Sequence, residues 1–133
     1  LRFALESQAL RYGAERDRSG LTQQLELILE RMADNQGESE RENYLSLGTQ
    51  FHRAFFEASG NRFLTEHYNS INSIIETIRH YISQTNDATQ TSLKDHRALV
   101  EQVANGRLEE AVRQLEKHIV NWSRRAILEP VLL

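Results

Sequence analysis

The sequence predicts an all-α fold, an antiparallel bundle of about six helices, on three observations. Helix formers (Leu, Ala, Glu, Gln and Arg) dominate the composition. Clusters of β-branched residues with period-two alternation are absent. Only six glycines occur, and the single proline is Pro130, near the end. A chain of 133 residues suits one domain with its own buried core.

The elements follow in order. Helix one runs from about Leu1 to Arg16, with Leu5, Ala9 and Tyr12 on its apolar side and Arg2, Glu6 and Arg11 as the polar counterpart. Its pattern is already running at residue 1, which is Leu and not Met, so the chain reads as a piece of something longer. Asp17-Arg18-Ser19-Gly20 breaks it. Helix two, about Leu21 to Asp34, places Leu21, Leu25, Ile28 and Met32 on one stripe, and the polar loop Asn35–Ser39 follows with Gly37 as the stop. Helix three, about Glu40 to Ser59, turns Tyr44, Leu47, Phe51, Phe55 and Ala58 to the core. Gly60 ends it by supplying a left-handed residue at little steric cost, and Asn61 caps the next helix. Helix four, about Arg62 to Gln84, carries Leu64, Tyr68, Ile71, Ile75, Ile78 and Ile82, with Ile74 and Tyr81 beside them. So broad an apolar face suggests more than one neighbour, part of it a dimer surface. A loop over Gln84–Thr89 leads to helix five, about Thr91 to Asn105, with Leu93, His96, Val100 and Val103 on one face and Gly106 as its stop. Helix six, about Leu108 to Leu128, aligns Leu108, Ala111, Leu115, His118 and Trp122. Short linkers make successive helices antiparallel neighbours.

The bulk properties exclude several functions. Without cysteine there are no disulfides, thiolate metal sites or cysteine nucleophile, which fits a reducing, cytoplasmic setting. A formal charge of −3 gives no general attraction to nucleic acid. No run of about 18 apolar residues exists to span a membrane. Neither an HExxH zinc motif nor a Gly-rich phosphate loop is present.

Three histidines carry the chemistry. His52, His96 and His118 each fall where a helical stripe predicts burial, on three different helices. A buried imidazole needs partners for both ring nitrogens. Three rings in one cavity compete for acceptors, and a divalent cation resolves this by taking a lone pair from each. Three His nitrogens with an open position is the donor set of a catalytic or ligand-receiving zinc site. Taken singly, each histidine reads first as a core residue bonded to a carbonyl or carboxylate, and the case for metal rests on all three coming together. His67 and His80 read as surface or boundary residues.

Certain residues resemble a known pattern. Arg2-Phe3-Ala4-Leu5-Glu6, Phe51-His52 with Ala58-Ser59-Gly60-Asn61, Asp95-His96, Gly106-Arg107-Leu108-Glu109-Glu110-Ala111 and His118-Ile119 occur in an order and spacing similar to the C-terminal effector-binding (FCD) domain of GntR-family bacterial transcription regulators of the FadR subfamily. The resemblance implies a single ligand-sensing, FCD-like domain over residues 1–133. It implies a pocket for a small organic acid or sugar acid, and a divalent metal, Zn or Ni, held by one Asp and three His. The histidines correspond to His52, His96 and His118. The Asp position, four residues before the first His, is Gly48 here, so either three imidazoles with water or effector oxygens hold the metal, or the site has lost it. Arg2 and Arg79 stand where the family holds a carboxylate, and a guanidinium grips one with two parallel bonds. The resemblance further implies a homodimer, no catalysis, and DNA binding only through an N-terminal winged helix-turn-helix that is not in this chain. A metal-dependent hydrolase and a plain helical interaction module with structural histidines are the competing readings.

Overall fold

The computed structural model describes residues 1–82 and 86–126. Among the described residues five α-helices follow in order: α1 (Arg2–Ala33), α2 (Arg41–Ser59), α3 (Arg62–Ile82), α4 (Asn86–Ala104) and α5 (Leu108–Ala126). One 3₁₀ turn, Glu38–Glu40, precedes α2. Helix α1 touches each of the other four, α2 lies along it, and α4 pairs with α5. No helix among the described residues is long and apolar enough to cross a membrane.

Helices one and two of the sequence reading form a single element, α1, kinked at Asp17, whose φ of −159° and ψ of 78° are not helical. The Asp17 carboxylate accepts the Gly20 N–H at 2.9 Å. An aspartate that bonds a backbone N–H three residues on is an N-cap, so this segment closes one helix and opens the next within a residue. That accounts for five helices among the described residues where about six are predicted.

Other boundaries have equally local causes. Gly37 is not the stop of α1, for its φ is −70°. The end is instead capped by side chains, with Asn35 Nδ2 donating to the Arg31 carbonyl at 2.7 Å and Gln36 Nε2 to that of Ala33 at 2.9 Å. Gly60 does end α2 in the left-handed conformation, φ 62°, and Gly106 does the same after α4, φ 72°. Asn61 Oδ1 accepts the Leu64 N–H at 3.2 Å, the expected cap of α3. Helix α4 starts five residues earlier than the hydrophobic pattern predicts, at Asn86, because its first turn carries polar residues and periodicity cannot see a helix without an apolar face. Gln84 and Thr85, the rest of that expected loop, lie outside the described residues, as does the expected end of the last helix at Leu128.

The apolar stripes are buried as spaced. Leu21, Leu25, Ile28 and Met32, then Phe51 and Phe55, Leu93, Val100 and Val103, and Ala111, Leu115 and Ile119 form one core, each larger side chain stabilising it by roughly 1.5–3 kcal/mol. Helices α1 and α2 approach closely because Gly13 faces Ala58: a Cβ at Gly13 would lie 2.9 Å from that of Ala58. Two faces depart from expectation. On α3, Ile74 and Tyr81 are half or more exposed while Asn72 and Arg79 are buried beside Tyr68 and Ile75. On α1, Tyr12 is exposed, and Arg2 and Glu6, expected on the polar side, are fully buried. The buried face of α1 begins Arg2, Glu6, Ala9, Leu10, Gly13, a helical spacing whose first two members are charged.

Candidate metal and ligand site

Helix α2 delivers His52, α4 delivers His96 and α5 delivers His118 to one place, where one ring nitrogen of each lies within 4.8 Å of the others. His52 and His96 are buried and His118 is nearly so. The His52 and His118 rings stack at 5.4 Å, and Phe51 tilts against His96 at 4.3 Å. The rings border a cavity of about 60 Å³ walled also by Tyr44, Gly48, Arg79, Ser92, Asn121 and Trp122. That volume holds a few waters or a guest of a few heavy atoms.

Carboxylates orient two of the rings. Glu6 reaches from α1 to His52 Nδ1 and accepts the Arg2 Nε–H at 2.6 Å. Asp95 Oδ2 lies 3.1 Å from His118 Nδ1. A carboxylate on Nδ1 fixes the proton there and leaves the Nε2 lone pair free, which is how metal-ligating histidines are commonly held. For His96 the near group is Ser92 Oγ, 3.5 Å from Nδ1. His52 Nε2 and His96 Nε2 lie 3.3 Å apart. Two nitrogens at the tetrahedral Zn–N distance are separated by about 3.3–3.4 Å, so this pair matches one edge of such a site. The three nitrogens spread over 4.8 Å, so the third ring has to close by about 1.5 Å to complete it. The donor set fits a divalent ion with one position left open.

The electrostatics agree with neutral, lone-pair-bearing rings. Burial pushes the His52 imidazolium down to about 3, against the opposing pull of Glu6. Burial likewise lowers His96 well below the ordinary histidine value, reinforced by the neighbouring histidines, and lowers His118 despite its bond to Asp95. At neutral pH, therefore, His52 donates Nδ1–H to Glu6 as a neutral ring, and the cation that balances Glu6 is Arg2. Burial favours the neutral acid at Glu6, but the charge of Arg2 and the hydrogen bonds from His52 and Arg2 hold its carboxyl well below the usual range.

The two arginines expected to hold a ligand occupy different places. Arg79 lines the cavity, with Nη1 donating to Thr49 Oγ1 at 2.9 Å and a buried Nη2 that has no partner among the described residues. Arg2 does not line it. Its guanidinium stacks over Trp122 at 4.4 Å, bonds Glu6 through Nε, and buries Nη1 and Nη2 without partners among the described residues. His67 and His80 are exposed, with Nδ1 against the carbonyls of Phe63 and Glu76 on their own helix. Glu6 and Asp95 are the site residues that sequence reasoning missed. The spacing Arg2, Glu6, Ala9, Leu10, Gly13 was the available signal for Glu6, masked by its charge.

The family model for the FCD domain matches residues 1–121. This chain belongs to the FCD domain family. The FCD fold is supported independently by a solved structure, the metal-free FCD domain of the candidate transcriptional regulator TM0439. It superposes with a TM-score of 0.80 at 24% identity, covering 95% of this chain and 86% of that one. No curated protein sequence matches the chain. The TM0439 domain keeps this fold in a metal-free form.

Proposed function

We propose that this FCD domain is the sensing and dimerising part of a GntR-type transcription regulator, and that it receives a small organic acid in the three-histidine chamber. One observation carries the reading: three imidazoles from three helices share a cavity with Arg79, whose Nη2 is buried and has no partner among the described residues. His52, His96 and His118 hold a divalent ion, Zn²⁺ or Ni²⁺, which when bound supplies a Lewis-acidic anchor for an anionic oxygen. Arg79 turns its free edge to the guest's carboxylate. Arg2 acts one step back, keeping Glu6 ionised so that Glu6 can orient His52. The likeness to the TM0439 domain supports a regulatory role, with DNA read by a winged helix-turn-helix joined to this domain. The exposed Ile74 and Tyr81 of α3 are the face proposed for the homodimer. A guest signals only if it favours one arrangement of the dimer over another.

A hydrolase is the weaker reading, because neither carboxylate behind the rings is turned to serve as a general base for a metal-bound water. Glu6 and Asp95 both face imidazole Nδ1 atoms instead.

A thermal-shift screen of small organic acids with and without Zn²⁺ or Ni²⁺ tests the proposal. A guest at 100 times its Kd adds about 2.7 kcal/mol to stability. The expected result is stabilisation by at least one acid, and its loss in His96→Ala and Arg79→Met. A flat response to metal and to every acid would refute the sensing role.

A further inference from the structure

Gly48 is a glycine that neither packing nor backbone explains. It lies inside α2, where glycine weakens a helix relative to alanine. Its φ is not among the positive values, which occur at Gly60 and Gly106. A Cβ built on it meets nothing within 4 Å, whereas one on Gly13 would meet Ala58 at 2.9 Å. Gly48 lines the three-histidine cavity, and it precedes His52 by four residues, so a side chain there would enter the space beside that ring.

The charges around this space are lopsided. Among the described residues the lining contributes two cations, Arg79 and Arg125, beside the three neutral imidazoles, and a single carboxylate, Asp95, which is bonded to His118. Among the described residues no anionic oxygen is free to fill the open position of an ion on His52, His96 and His118, and Arg79 would stand nearby as a further positive charge. A buried charge without a counter-charge binds poorly. A guest anion supplies both the missing donor and the missing charge, in the volume that the absent side chain leaves open.

Building on the sensing role above, we propose that metal and guest bind this domain as a mutually dependent pair. Gly48 is the residue that reserves room for the guest's donor oxygen, and the guest is a small chelating dianion of the malonate or oxalate type, one end on the metal and the other toward Arg79. Each partner then tightens the other by the same factor, as linkage requires.

Isothermal titration tests this with Ni²⁺ alone, malonate alone, and each in the presence of the other, corrected for Ni²⁺–malonate association in free solution. Oxalate is run in the same way. In the unmodified domain, the affinity for Ni²⁺ is expected to rise at least about tenfold with saturating malonate or oxalate, with the reciprocal gain for the acid. Gly48→Asp is expected to bind Ni²⁺ tightly without acid and to reduce the coupling factor to about one. Gly48→Ala, whose methyl group has open space, is expected to keep Ni²⁺ binding and the circular dichroism of the parent while losing most of the coupling. If Gly48→Asp does not fold, the parent and the alanine variant decide. A coupling factor near one in the parent, with metal and acid each binding alone, overturns the mutual dependence and leaves the sensing role standing. Binding of Ni²⁺ with no response to either dianion, while another acid from the thermal screen binds, overturns the guest class. Failure of every acid to bind removes the sensing role and this inference together.

Discussion

The two carboxylate–histidine pairs behind the cavity use the same chemistry in different surroundings. Glu6 and His52 are at most 1% exposed, and the acid is shared with Arg2 at 0%. Asp95 and His118 are 19% and 13% exposed. Removing one member of the inner group leaves a buried charge uncompensated, whereas water can reach the outer pair and replace what is lost. Orientation of a ring is therefore equally available at both places, but only the inner pair also carries a large share of stability.

The largest effect should come from Glu6→Gln, which strands Arg2 as a buried cation. A loss of about 3–5 kcal/mol is expected, measured by urea unfolding at neutral pH in chelator. Parent-like stability in that variant would mean that Arg2 has another counter-charge, and the contrast between the pairs would collapse.

Acid sharpens the comparison next. In the unfolded chain histidines take up protons near pH 6.5, but folded His52 does so only at about 3, and His96 and His118 are also lowered. Between those values the unfolded state binds more protons, so the contribution of these rings is complete above about pH 6.5 and is lost as pH falls toward 3. Glu6, whose carboxyl is depressed, adds a further loss below about pH 4.5 on the same reasoning. Urea midpoints of the metal-free domain should thus decline from about pH 6.5 downward. A midpoint that holds level to pH 5 would contradict neutral buried rings.

Metal affinity should respond alike at both places. Glu6→Gln and Asp95→Asn are each expected to weaken Ni²⁺ binding by about 10- to 100-fold, the usual effect of losing a carboxylate behind a ligating histidine. Competition with a chromogenic chelator checks this. The smallest effect is the stability change in Asp95→Asn, about 1 kcal/mol or less because the pair is partly solvated. A loss as large as that of Glu6→Gln would erase the distinction between inner and outer pairs.

Much of the architecture follows from the order of residues alone. The 3.6-residue recurrence of Leu21, Leu25, Ile28 and Met32, or of Leu93, His96, Val100 and Val103, marks the face that leaves water, because apolar transfer is local and nearly independent of the partner. Gly60, Asn61 and Gly106 mark ends through conformational preference and capping, which are also local. The same recurrence places His52, His96 and His118 inward, so the candidate donor set was readable one helix at a time.

Charged residues follow a different rule. Whether Arg2 and Glu6 belong inside depends on His52, which is 46 positions from Glu6, and on Trp122 from the last helix. Burial of a charge is tolerable only when a counter-charge and hydrogen bonds meet it, and those come from other helices, so no single-helix pattern can announce it. The empty space at Gly48 is likewise a property of what the neighbouring helices leave unfilled. Local order determined the helices and their apolar faces. The tertiary structure alone decided which charged groups joined them, because electrostatic compensation is a relation between segments while hydrophobicity belongs to each segment by itself.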